Sequence, residues 1–209
     1  MALVKLNNRG VRSVSTFGSI SSLGYYTFIK NVTASSSGTV SFVDGSSDVV
    51  LDNTYKEYLF TFKDIHPSAT GSGVNFSFNG STDSGSNYNA TKTTTLFRTY
   101  NYEGADTTTL GFDGTPALAQ STAFQTLTTN NTNPNDGSNV GILHLYDPSS
   151  TTYIKHFTCV TSQNTFNGEN CMNNYVAGYF NTTSAIDAIQ FKFASGNVDA
   201  GDICLYGIN

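Results

Sequence analysis

From Tyr25 onward, apolar and polar positions alternate with a period of two, in short runs separated by turn residues. Between Tyr55 and Lys63, Tyr58, Phe60 and Phe62 fall on one face, with Glu57, Leu59 and Thr61 on the other. Val74-Asn75-Phe76-Ser77-Phe78-Asn79 alternates in the same way and runs into Asn79-Gly80, a dipeptide that favours a hairpin turn. This period puts successive side chains on opposite faces of a strand and does not fit a helix. Tyr26 to Thr33, Val40 with Phe42, and the set Ile189, Phe191 and Phe193 read as strands too, as do Ile203, Leu205 and Gly207 near the C-terminal residue. Thr94 to Tyr102 predicts a strand with Leu96, Arg98, Tyr100 and Tyr102 on one side. Val140 to Asp147 and Thr152 to Val160, joined by Pro148-Ser149-Ser150, predict a hairpin, and the aromatic-rich stretch Asn174 to Asn181 is interrupted by Gly178.

The middle of the chain is less regular. Thr107 to Thr132 has weak periodicity, with one short helical turn predicted near Ala117–Gln120. Asn130 to Asn139, which contains Asn-Pro-Asn-Asp-Gly, predicts a long polar loop and a candidate binding surface. The reading is an all-β, antiparallel β-sandwich or jelly roll of about nine or ten strands. Residues 25–209 form one domain, and residues 1–24 form an extended N-terminal arm.

Composition supports this class and narrows the chemistry. Charged residues are 12% of the chain, and polarity comes mainly from Asn, Ser, Thr and 19 Gly, which suit strands and turns rather than long helices. Net charge is −5 and no run of Lys or Arg occurs, so nucleic acid is not an expected partner. No apolar run is long enough to insert in a membrane as a helix. Cys159, Cys171 and Cys204 are odd in number and are read as buried free thiols.

No G-x-S-x-G, Walker A, H-E-x-x-H or C-x-x-C signature is present, so neither an enzyme nor a cofactor is expected. His144 and His156 lie on the two arms of the expected hairpin. With the turn centred near Ser150 they face each other, a metal-site candidate beside ordinary histidine packing. His66, before Pro67, reads as a loop residue. Glu57, Glu103 and Glu169 are the glutamates, and the mid-strand position of Glu57 needs only a solvent-facing role. Asn133, Asn135 and Asp136 offer oxygen ligands in a polar loop without the EF-hand pattern. The chain has 12 Tyr and 15 Phe but no Trp. Most of these rings are read as core and subunit interface, and loop tyrosines such as Tyr88 and Tyr102 are the candidates for stacking on a sugar.

Several segments resemble outer structural proteins of marine tailed bacteriophages, including cyanophages. They are Met1-Ala2-Leu3-Val4-Lys5-Leu6-Asn7-Asn8-Arg9 at the start, Ser36 to Asp44, Ser149 to Lys155, and the closing stretch from Ala188 through Ser195-Gly196-Asn197-Val198-Asp199 to Leu205-Tyr206-Gly207-Ile208. The resemblance implies a capsid-decorating or fibre protein on the virion surface, assembled in the host cytoplasm. The residues agree in kind: an N-terminal arm carrying Lys5, Leu6, Arg9 and Arg12 suits anchoring to other virion proteins. A homo-oligomer, with a trimer favoured, and a host-surface glycan are the further partners expected.

Overall fold

A computed structural model of the chain describes residues 25–104, 108–166 and 170–208. The described residues contain no helix. Their strands are β1 (Tyr26–Thr33), β2 (Val40–Val43), β3 (Glu57–Pro67), β4 (Phe76–Ser81), β5 (Lys92–Tyr102), β6 (Thr108–Phe112), β7 (Gln125–Thr128), β8 (Asn139–Tyr146), β9 (Lys155–Asn164), β10 (Asn170–Phe180), β11 (Ala188–Phe193) and β12 (Val198–Ile208). An eight-stranded sheet runs β1-β12-β3-β8-β9-β10-β5-β6 and a four-stranded sheet runs β2-β11-β4-β7. Every strand pairing is antiparallel. The anchoring residues Lys5, Leu6, Arg9 and Arg12, and Glu169, lie outside the described residues.

One core joins the two sheets into a sandwich. At its centre is Phe191 of β11, fully buried, with ring contacts to Phe42, Phe60, Phe62, Phe76 and Phe78 at centroid distances of 5.2 to 6.3 Å. These phenylalanines come from β2, β3 and β4, so a single residue type at alternate positions closes both layers. The expected faces of β3 hold: Tyr58, Phe60 and Phe62 are all buried in this core.

Among the described residues twelve strands replace the nine or ten expected, because β6 and β7 lie within the region of weak periodicity. In β6 both faces are largely exposed, and in β7 the buried positions include Gln125 and Thr128, so neither strand alternates apolar with polar. The turn expected near Ala117–Gln120 is not helical. Instead its backbone is tied to β5, with Thr94 N–H donating to the Leu118 carbonyl at 2.8 Å and Leu118 N–H to Thr94 Oγ1 at 2.8 Å.

Asn79-Gly80 does not make the expected hairpin. Gly80 is inside β4, paired with Ile189, and the turn comes later, where Ser84 and Gly85 have positive φ. A Cβ at Gly80 would sit 3.0 Å from Ile186 and Phe180, so this glycine permits a close approach rather than a turn. The Asn79 amide donates to the carbonyls of Tyr88 and Thr122 at 2.7 and 2.9 Å.

The thiols also need correcting. Only Cys159 is buried; Cys171 is exposed, and Cys204 donates to Asn31 Oδ1 at 3.2 Å. Burial pushes the Cys159 thiol pKa up.

Gly207 allows β12 to pass beneath a ring, because a Cβ there would overlap Tyr55. Gly207→Ala is expected to destabilise the domain by roughly 1–3 kcal/mol through overpacking. Urea denaturation should report this as a lower midpoint with an unchanged slope.

Candidate functional site

Because β-strand side chains alternate, the strands that bury Leu96, Val176, Cys159 and Leu143 must aim the intervening residues away from the core. Strand register then orders those residues into rows. Phe112, Phe97, Tyr175, Val160 and Ile142 are successive cross-strand partners from β6 through β5, β10 and β9 to β8. This row is a ridge without a charged side chain, and Phe112, Phe97 and Ile142 are 69%, 43% and 40% exposed. Leu110 and Val140, on the same face, are exposed as well. Phe97 and Tyr175 stack with centroids 4.7 Å apart and planes 7° apart. One face of each ring is therefore covered by the other.

The next row contains Thr95, Ala177, Thr158, His144, Leu59, Tyr206 and Phe28, again as successive partners. Small side chains lower its first half. A hollow of about 340 Å³ lies here, lined among others by Thr93, Thr95, His156, Thr158, Ala177 and Tyr179. Ridge and hollow thus lie side by side on the solvent face of the large sheet, opposite to the smaller sheet.

The two histidines do not face each other. His144 pairs with Thr158, and Leu145 with Phe157, which centres the hairpin one residue beyond the expected Ser150. Ser150 instead builds the turn: its N–H donates to the Asp147 carbonyl at 3.1 Å, and its Oγ accepts from Tyr153 N–H at 3.0 Å. His144 bonds through Nδ1 to Glu57 and stacks on Tyr146, whereas His156 tilts against Tyr179. No group of three or more His, Cys, Asp or Glu is placed to hold a metal ion among the described residues. His66 lies within β3 rather than in a loop, with Nε2 3.2 Å from the Pro134 carbonyl.

The candidate ligand residues are scattered. Tyr88 lies beside Gly85 and Val43, before the start of β5, whereas Tyr102 ends that strand, roughly 30 Å further along at the usual rise. The Asn133 amide donates to the Ser68 carbonyl at 3.2 Å and its N–H to Thr70 Oγ1 at 2.7 Å, so it fastens one loop to another. Asn135 and Asp136 are exposed. The stretch 130–139 is less solvated than expected, because Asn131, Thr132 and Asn139 are buried and Asn131 bonds to Val74. Tyr102 does border a polar region. It shares a small cleft with Arg98, Tyr100 and Asn170, and Asn170 also lines a second cleft of about 390 Å³ with Asn101, Glu103, Ser138 and Asn164.

The interior under β5 is polar. Arg98 pairs with Asp113 at 3.0 Å and donates to Thr129 Oγ1 at 3.2 Å. Lys92 is fully buried, donating to the carbonyls of Ala90 and Ala123 at 3.0 and 2.6 Å. Burial lowers its pKa to about 7.

Sequence reasoning passed over the ridge because aromatic residues on strands are counted first as core. Phe97 and Tyr175 occupy odd positions of strands whose neighbouring even positions, Leu96, Asn174 and Val176, are buried, and that parity was the available signal. Comparison of the chain with protein-family models, with curated proteins and with solved structures finds no match. No helix among the described residues is long and apolar enough to cross a membrane.

Proposed function

We propose that this chain is a non-enzymatic assembly module of a phage particle's outer surface, anchored by its N-terminal arm, decorating the capsid or forming part of a fibre. The observation that carries the assembly part is the ridge of apolar side chains on the solvent face of the large sheet. Contiguous apolar area with a polar surround marks an interaction surface. The virion part rests on the resemblance of the terminal segments, and the partners are other virion proteins and further copies of this chain.

Quantitative mass spectrometry and cryo-electron microscopy of intact particles test the reading. Particles lacking the chain are expected to lose a discrete outer feature, and loss of no feature would overturn the proposal. A second reading, glycan recognition during host adsorption, is favoured by the polar cleft of Asn101, Glu103, Asn164 and Asn170, together with the smaller cleft that holds Tyr102 and shares Asn170 with it. Under it, Tyr102→Ala and Asn164→Ala should abolish binding on a glycan array, and a blank array with the unaltered chain would eliminate it.

A further inference from the structure

We infer that the outer faces of two copies of this chain pack against each other about a two-fold axis, the ridge at Phe97, Tyr175 and Val160 of one copy entering the hollow over Ala177 of the other. The inference rests on the assembly reading above and gives it a partner and a geometry.

A two-fold interface demands self-complementarity: where residue i meets residue j, j must also meet i. Ridge and hollow satisfy this demand. They occupy adjacent rows of the same strands β5, β10 and β9, two residues apart, which is about 6.6 Å along a strand. An axis lying in the interface, parallel to the rows and midway between them, carries each ridge onto the facing hollow. It preserves position along the row, so Tyr175 of one copy lies over Ala177 of the other and Ala177 under Tyr175.

Charge and area agree with a second copy. The chain is acidic overall, with a net charge of −5, so two copies can join only through a patch that leaves like charges out of contact. The ridge has no charged residue, and the six hollow residues named above include no Lys, Arg, Asp or Glu. The eight strands, five to eleven residues long and about 4.8 Å apart, present a face of roughly 1,200 Å², so contact over about two thirds of it gives the ~800 Å² per partner of a stable specific interface.

Light scattering on the full-length chain after size exclusion tests the inference, with Ala177→Glu filling the hollow, Phe97→Ser lowering the ridge, and Ser46→Glu as a control in the exposed turn after β2. The unaltered chain and the control are expected at twice the 22.4 kDa chain mass. Either interface variant should raise the dissociation constant at least about tenfold, with an unchanged circular dichroism spectrum. A monomeric or three-fold unaltered chain overturns the inference. So do folded Ala177→Glu and Phe97→Ser variants that remain as dimeric as the unaltered chain. Particle location is read separately, so a failure here leaves the virion proposal to its own test.

Discussion

Phe191→Ala is expected to cost about 3–5 kcal/mol, a large part of the roughly 5–15 kcal/mol that holds an ordinary domain folded. The side chain is fully buried and its ring meets phenylalanines from both sheets, so its removal opens a cavity where the layers meet. Rings held in place by strand registers on both sides have little freedom to collapse into that space. Denaturant unfolding should show a large drop in midpoint. Phe191→Leu, which retains most of the volume, should recover more than half of the loss; equal loss in both variants would mean that the aromatic contacts themselves, rather than filled volume, hold the layers together.

The second large effect is a dependence of stability on pH that one buried side chain produces. Lys92 has its pKa lowered from 10.5 to about 7 by burial among Ala90, Ala123 and the ring of Phe180. Below pH 7 both folded and unfolded states hold the proton, and the folded state carries the full desolvation penalty. Above pH 7 the folded amine is neutral while the unfolded one remains charged. The unfolded state then binds more protons, so stability rises with pH by about 1.4 kcal/mol per unit from this group. The rise continues to about pH 9. There the unfolded Cys159 thiol begins to ionise and the folded one, its pKa raised by burial, does not, which offsets the Lys92 contribution up to about pH 10.5 and lowers stability above it. Chemical denaturation from pH 6 to 9 should therefore give a rising midpoint. Lys92→Met should flatten the curve, and a variant with the same slope as the unaltered chain would transfer the effect to another group.

The polar half of the interior makes these two predictions different in kind. Under β3 and β11 the core is phenylalanine, and its energetics are those of volume and area. Under β5 it is Lys92, Arg98, Gln125, Thr129 and Gln163, where hydrogen bonds must be completed one by one. Thr129 N–H donates to Gln163 Oε1 at 3.2 Å, and Thr94 Oγ1 donates to Gln125 Oε1 at 2.5 Å. This explains why the sequence between Thr107 and Thr132 looked irregular: its strand β7 faces a polar interior, so the apolar alternation that reveals a strand is missing.

Other elements show the same division. The class, the single core and most strands were legible because alternation at Tyr58, Phe60 and Phe62, or at Ile189, Phe191 and Phe193, is a local property of the chain. Asn79-Gly80 misled because a glycine needed for a turn and one needed for close contact with Phe180 look alike in sequence. The hairpin of β8 and β9 was placed correctly, but its register was off. A displacement of the centre from Ser150 by one residue is enough to separate His144 from His156 by two positions.

The sequence by itself determined an antiparallel all-β fold, because the period of side-chain direction along a strand is fixed by backbone geometry. Only the tertiary structure decided which aromatic rings face solvent. Parity places Phe97 and Tyr175 opposite to Leu96 and Val176, but strand order alone brings them into one row, and the smaller sheet covers only one of the two faces. The ridge and its neighbouring hollow are thus set by cross-strand register, a relation between residues far apart in the chain that no local pattern encodes.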